Sequence, residues 1–320
     1  MQAIDNVLLL GGTGFVGSAL CEALVGRYGA ARLVVASRRP QRAKHLLPLP
    51  GLELVRADVH DDADLERLLA GRSAVVNLVA ILHGAPADFE RVHVALPRRL
   101  ARACAKAGVQ RVVHVSALGV APDAPSHYLR SKAGGEAALH AEPGLALTIL
   151  RPSVIFGAGD RFLNTFAQLQ AVFPFVPLAG ADARFQPVWV EVVAAAIVRS
   201  LEDDTSAGQT YELAGPRVYT LAELVRLAGR WSGHERPVLT LPGPLARLQA
   251  TLMGLAPGEP LLTTDNLDSM RVPNVAGGAL PGLEACDIEA AALEAVAPSY
   301  LDRHRGTARL DTLRAFARRL

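Results

Sequence analysis

Lysine is almost absent from this chain. Of 33 basic residues only Lys44, Lys106 and Lys132 are lysines, so arginine carries nearly all the positive charge and each lysine stands out. Cysteine is also scarce. Cys21, Cys104 and Cys286 are too far apart for a metal-ligand spacing or a disulfide framework, which points to a reducing compartment. No apolar run reaches the ~18–20 residues of a membrane span; the most apolar stretch, Ala74 to Leu82, reads as a buried strand. No long run of one charge sign occurs either. The net charge is +2 with acids and bases interleaved, so nucleic acid is not an expected partner. A strand pattern begins at Val7, so no secretory signal peptide is expected and the expected location is cytoplasmic.

What remains is a chain of 320 residues, half of them hydrophobic, long enough for one large or two modest domains. Residues 7–17 read Val-Leu-Leu-Leu-Gly-Gly-Thr-Gly-Phe-Val-Gly, a buried strand entering a glycine turn and then a helix. Gly11, Gly14 and Gly17 stand at three-residue spacing. Such a turn lets backbone approach a pyrophosphate and aims a helix amino terminus at it. Gly11, Thr13, Gly14, Phe15, Val16 and Gly17 are the candidate contacts. The context of strand, turn and helix is what separates this motif from a plain glycine turn.

Short apolar runs alternate with helical patterns through the first half. Expected strands are Val7–Leu10, Leu33–Ser37, Leu52–Ala57, Ala74–Ala80, Arg111–Val115 and Ala146–Leu150; expected helices lie at Ser18–Val25, Ala63–Leu69, Phe89–Ala107 and Tyr128–His140. This is the pattern of an α/β doubly wound parallel sheet, a Rossmann fold, over residues 1–155. After Arg151-Pro152 glycine and proline cluster, and residues 156–320 read as a smaller α/β substrate or partner lobe, partly interleaved with the core sheet. Its expected strands are Val188–Val190, Thr210–Leu213 and Val238–Leu241, and its helices Phe162–Phe173, Glu191–Leu201 and Leu221–Ser232. Thr307–Leu320 has the pattern of a basic amphipathic helix.

The second strand ends in Ser37-Arg38-Arg39-Pro40. A carboxylate at this position suits the ribose hydroxyls of NAD(H), whereas arginine suits the 2′-phosphate of NADP(H). NADP(H) is therefore the expected cofactor, with Arg38 ahead of Arg39 and Ser37 beside them. The alternative is a solvated basic turn. Asp58-Val59 after the third strand stands where an aspartate reaches the adenine amino group, or else caps the next helix. Asn77, Leu78, Val79 and Ala80 of the fourth strand would line the ribose, although Asn77, in mid-strand, equally reads as a structural hydrogen bonder.

Tyr128 and Lys132 are spaced i and i+4, which puts both on one helix face. Carbonyl reduction by hydride needs a proton for the developing alkoxide. A free tyrosine, with a pKa of ~10, is poorly matched to that task near neutral pH, and a neighbouring ammonium lowers it. Ser116, ending the fifth strand, would orient the substrate carbonyl, or simply bond backbone.

The glycine motif, the strand-end arginine, Ser116, Tyr128/Lys132 and Leu150-Arg-Pro-Ser-Val-Ile-Phe-Gly157 resemble the short-chain dehydrogenase/reductase superfamily in its extended and atypical, epimerase/dehydratase-like branches. By that resemblance Pro152, Ser153 and Val154 contact the nicotinamide carboxamide, and Lys132 also bonds the ribose. Tyr128-Leu-Arg-Ser-Lys-Ala-Gly-Gly-Glu136, Gly159-Asp-Arg-Phe-Leu-Asn-Thr-Phe166 and Gln186-Pro-Val-Trp-Val190 are similar to the nucleotide-binding accessory subunits of respiratory complex I and their bacterial relatives. That likeness implies a respiratory-complex or membrane-surface partner at the inner face of the membrane, or a role in ubiquinone biosynthesis. His93 departs from the family pattern where an asparagine is common, and Ala117 where many members have a second serine.

Three functional expectations follow. One is hydride transfer to or from a small apolar carbonyl or quinone-related substrate. The second is a non-catalytic nucleotide-bound accessory or assembly factor, and the third an NADP(H)-sensing regulator. No His/Cys/Asp cluster has metal spacing, so no metal is expected. His114 is expected in the core, His127 at the surface and His83 near the nicotinamide. Phe173–Leu178 and Leu245–Leu255 are expected to pack as core, with docking on a membrane or partner as the alternative.

Overall fold

The computed structural model describes residues 6–29, 32–254 and 260–302. Two compact units emerge, and they are not cut at a single point. One comprises the chain up to Pro152 together with Glu191–Leu213 and Gly277–Glu289; the other comprises Ser153–Val190, Ala214–Ala276 and the chain from Ala290 onward.

In the first unit the apolar runs form β1 (Asn6–Leu10), β2 (Arg32–Ser37), β3 (Leu52–Arg56), β4 (Ala74–Asn77), β5 (Arg111–Val115) and β6 (Ala146–Pro152). The strand Thr210–Leu213 returns to the edge beside β6, giving the order Thr210–Leu213, β6, β5, β4, β1, β2, β3. Every pairing is parallel. Val7–Leu10, Val75–Val76 and Val112–Val113 are buried, as expected of parallel strands covered on both faces. The order reverses between β1 and β4, the position where open α/β sheets take up ligands.

The connecting helices are α1 (Phe15–Tyr28), α2 (Asp62–Leu69), α3 (Pro86–Phe89), α4 (Leu96–Ala107) and α5 (His127–His140). Leu65, Leu68 and Leu69 of α2, with Leu96, Leu100 and Cys104 of α4, form one core with Leu8, Leu10, Val75 and Ile149 of the sheet. Cys21, Cys104 and Cys286 are buried free thiols. Arg111 is buried, and its two terminal nitrogens, though not Nε, find acceptors among the described residues. Its guanidinium donates to the carbonyls of Ala146 (2.7 Å) and Ser200 and to the hydroxyls of Thr148 (2.9 Å) and Ser206, which locks the loop before Thr210 onto β5 and β6.

Two elements differ from expectation, one for a local reason and one through a distant contact. β4 stops at Asn77 rather than Ala80 because the Asn77 Oδ1 accepts the Val79 N–H at 3.2 Å and turns the chain. The helix expected over 89–107 is divided by a π-helical turn at Glu90–Ala95. Pro97, at the start of α4, has no N–H to give back to the His93 carbonyl. Gly135 of α5 packs onto that carbonyl, and a Cβ at Gly135 would lie 2.0 Å from its oxygen.

In the second unit, Phe156, Leu163, Tyr219, Leu224, Leu293 and Ala297 form a separate core, joined by Phe162, Phe166 and Phe185. The Asp160 carboxylate is buried among its own neighbours. It accepts the N–H groups of Gly157 (3.1 Å), Phe162 (2.8 Å) and Asn164 (3.2 Å) and the hydroxyl of Tyr300 (2.9 Å). The Asp160–Asn164 segment is thus an anchored turn that starts the helix Leu163–Val172. The expected core packing of the two apolar segments is only half realised. Val176, Leu178, Ala246 and Ala250 are buried, but Phe173, Phe175, Leu245, Leu248 and Leu252 are exposed. Among the described residues no helix is long and apolar enough to cross a membrane. The amphipathic pattern Thr307–Leu320 lies outside the described residues.

Because the α5 contact tolerates no side chain, Gly135→Ala is expected to destabilise the fold by about 2–3 kcal/mol. Gly26→Ala, in α1 where nothing lies within 4 Å of the added Cβ, is expected to stabilise by up to about 1 kcal/mol. Urea denaturation of the two variants against the parent measures both signs.

Candidate functional site

The glycine turn sits at the carboxyl end of β1. Gly11 has φ +81°, and a Cβ there would come within 3.0 Å of the Leu78 carbonyl carbon. At Gly17 a Cβ would lie 2.5 Å from the Gly11 oxygen and from the Gly12 backbone, so α1 starts in direct backbone contact with the turn. Gly14 caps α1 without a side-chain bond, and the first turn contains no acid. A helix leaves its first N–H groups, here including those of Phe15 and Val16 next to Thr13, without an intrahelical acceptor. This cradle fits a pyrophosphate. Leu78–Ala80 follow β4 directly across from it, with the Leu78 N–H bound to the Leu10 carbonyl at 2.9 Å.

Arg38 and Arg39 are exposed at the end of β2. Among the described residues no carboxylate is paired with either, and the Ser37 hydroxyl accepts the Arg39 N–H at 3.2 Å. Asp58 is exposed after β3, where its carboxylate accepts the His60 N–H at 3.0 Å; Val59 lies between them, half-buried. The cap of α2 is Asp61, which accepts from Asp64 at 2.9 Å, so the capping alternative for Asp58 does not hold.

Lys132, on α5 with Tyr128 one turn before it, reaches the carboxyl end of β5, where Ser116 stands. The Lys132 ammonium is buried and donates to the Val115 carbonyl at 2.9 Å, the residue adjoining Ser116. Burial pushes Lys132 down to about 8, partly offset by Glu136. Glu136 in turn accepts from Arg151 at 3.0 and 2.5 Å. Tyr128 is pushed up to about 12 by burial. The expected lowering by Lys132 is not what the fold produces, because desolvation dominates at the phenol and the ammonium is turned to Val115. Ser116 is buried, and its Oγ has no hydrogen-bond partner among the described residues. The backbone-bonding alternative for Ser116 Oγ is therefore unrealised.

Two histidines, neither assigned to the site from sequence, complete this end of the sheet. The His93 Nε2 accepts the Ile81 N–H at 3.1 Å, so its proton is on Nδ1, which faces the Ser131 hydroxyl at 2.8 Å. His93 also meets the Tyr128 ring edge-on, with centroids 5.5 Å apart. Burial and the Lys132 charge push His93 down to about 3, so it is neutral. His114 is a core residue as expected, with Nδ1 at 3.1 Å from the Asn77 amide; its Nε2 has no partner among the described residues. His127 is exposed.

Pro152 closes β6, where its carbonyl accepts the Leu118 N–H. Ser153 and Val154, in the other unit, are already engaged there. The Asn274 side chain accepts both the Ser153 hydroxyl and the Val154 N–H at 2.7 Å. Asn274 carried no sequence signal, since its partners are about 120 positions away. Among the described residues no group of three metal-ligating side chains occurs.

A parallel sheet with this strand order, a glycine cradle at the reversal point and a Tyr/Lys pair beyond β5 define an NAD(P)-dependent short-chain dehydrogenase-type protein. The chain belongs to the NAD dependent epimerase/dehydratase family, whose model matches residues 7–214. It is 34% identical over 305 residues to the mouse protein NADH dehydrogenase (ubiquinone) 1 alpha subcomplex subunit 9, mitochondrial, covering 93% of this chain and 80% of that one. It is 31% identical over 241 residues to the ceramide reductase of Caulobacter vibrioides, covering 74% of each. The UDP-glucuronic acid 4-epimerase of Bacillus cereus, solved with UDP-glucuronic acid and NAD, shares the fold, with a TM-score of 0.66 at 19% identity over 92% of this chain and 98% of that one.

The buried imidazole of His93 makes the fold acid-labile. Its folded pKa lies below the ordinary value of 6.5, so the unfolded chain binds the extra proton and stability falls as pH drops from about 6.5 toward 3. His93→Phe is expected to flatten that part of the curve, as read from urea midpoints between pH 4 and 7.

Proposed function

We propose that the protein is an NADP(H)-dependent oxidoreductase acting on an apolar carbonyl or quinone-related substrate. The observation that carries this reading is the buried Ser116 hydroxyl without a partner among the described residues, on the strand end whose Val115 carbonyl holds the Lys132 ammonium. A structural serine in that position would bond backbone; an unpartnered hydroxyl supports a role toward a ligand oxygen. The bound nucleotide supplies or accepts the hydride. Ser116 donates a hydrogen bond to the substrate oxygen and fixes its direction. Tyr128 gives its proton to that oxygen as negative charge develops, and takes it back in the oxidative direction. Lys132, bonded to the Val115 carbonyl, would hold the nucleotide ribose and anchor this end of α5. Gly11–Gly17 would hold the pyrophosphate, Arg38 and Arg39 the 2′-phosphate, and Asp58, Val59 and Leu78–Ala80 the adenosine and ribose. Likeness to a relative named ceramide reductase supports an apolar substrate.

A second reading is favoured by a specific observation. The likeness to a respiratory NADH dehydrogenase subunit spans 93% of the chain, and the phenol is pushed up rather than down. On that reading the nucleotide is held as part of the structure, and the protein joins a respiratory complex or the membrane surface.

Fluorescence titration is expected to show NADPH binding more tightly than NADH. Arg38→Ala is expected to weaken NADPH by about tenfold or more, as for lost charge-assisted bonds, and to leave NADH unchanged. Equal affinities in the parent would remove the 2′-phosphate assignment. Tyr128→Phe is expected to lose about 10²–10⁴ in NADPH-dependent reduction of hydrophobic carbonyls or quinones with NADPH affinity retained. Full complementation of a deletion strain by Tyr128→Phe would select the accessory reading.

A further inference from the structure

His93 interrupts the family pattern, yet it is the most connected side chain at this end of the sheet. Its Nε2 accepts the Ile81 N–H, on the segment that leaves β4. Its Nδ1–H donates to Ser131 Oγ, and the Ser131 hydroxyl donates to the Tyr128 carbonyl at 2.8 Å. Its ring is edge-on to Tyr128 and tilted against Phe89 at 5.6 Å, and Phe89 meets Tyr128 at 6.3 Å. The backbone is arranged for the same end. The π-helical turn at Glu90–Ala95 presents the ring, Pro97 spares the His93 carbonyl a helical bond, and Gly135 allows α5 to close onto it. An asparagine is too short to span both contacts from this backbone position; an imidazole presents an acceptor and a donor on opposite sides.

Resting on the oxidoreductase reading above, we propose that His93 is a positioning residue. It ties the segment after β4, which would line the nucleotide ribose, to the first turn of α5 through Ser131, and so sets where the Tyr128 phenol stands. It touches neither substrate nor cofactor. The charged and titratable groups near it are Lys132 and His114, and neither replaces its two bonds.

Ser131→Ala cuts the link to Tyr128 while keeping the bond to Ile81; His93→Phe keeps the aromatic packing and removes both bonds. With NADPH and a decyl-substituted benzoquinone as probes, Ser131→Ala is expected to lower kcat about fivefold, and His93→Phe about tenfold or more. For Ser131→Ala, NADPH affinity stays within twofold of the parent. Neither substitution is expected to lower the residual rate further in a Tyr128→Phe background. A loss that appears in NADPH affinity rather than kcat, or that persists without the Tyr128 hydroxyl, overturns the proposal. If the parent reduces no quinone or carbonyl, the oxidoreductase reading fails, and the positioning role is decided on protein labelled with 3-fluorotyrosine. The Tyr128 fluorine resonance, identified by its loss in Tyr128→Phe, is expected to move or broaden in Ser131→Ala. An unchanged resonance in that variant shows that the chain of bonds does not set the ring.

Discussion

At the carboxyl end of β1 the backbone comes so close to α1 and to the segment after β4 that no side chain fits between them. Gly17 meets the Gly11 carbonyl and the Gly12 backbone, while Gly11 meets Leu78 and Val79. This contact is made where the sheet order reverses. It therefore joins three things: the packing of α1 on the sheet, the separation of β1 from β4, and the first N–H groups of α1, which suit an anion. A cradle for a pyrophosphate and a close-packed sheet are here the same geometry.

Charge is handled differently at the other side of the reversal. Burying an ammonium is costly unless it is bonded and balanced. Lys132 answers this with the Val115 carbonyl and with Glu136 one turn on, and Glu136 is itself held by Arg151 from β6. The arrangement keeps a positive charge in a dry place at the end of β5 without leaving an unpaired carboxylate. Burial first, and that charge second, keep His93 neutral. A histidine ring that stays uncharged keeps one acceptor and one donor on opposite sides over the whole physiological range. That property, rather than titration, is what its position uses.

The strands of the seven-stranded sheet were legible because each is a short apolar run between turn residues, and Thr210–Leu213 was bounded correctly even though it is an edge strand far along the chain; the two- and three-residue strands of the second unit, such as Arg184–Phe185, were not. Tyr128/Lys132 were legible because an i, i+4 pair keeps its meaning on any helix. The π-helical turn was not, since its cause is the pairing of Pro97 with Gly135, some 40 positions apart in sequence, and a helical period runs smoothly through both. Asn274 and Arg111 were invisible for the same reason: a single polar residue says nothing until its distant partners arrive. Asp160 stood out in the sequence as part of a distinctive segment, and the structure shows what it does. It gathers the N–H groups of its own turn and the hydroxyl of Tyr300.

By itself the sequence determined the class of sheet, the place of the glycine turn and the setting of Tyr128 and Lys132 on one helix. Those depend on spacings of a few residues, and local geometry converts such spacings directly into shape. Tertiary structure alone decided the electrostatic state of that pair, the partnerless hydroxyl of Ser116 and the bridging place of His93. Each of these is set by burial and by atoms brought from other strands and helices, and desolvation has no counterpart in the order of residues along a chain.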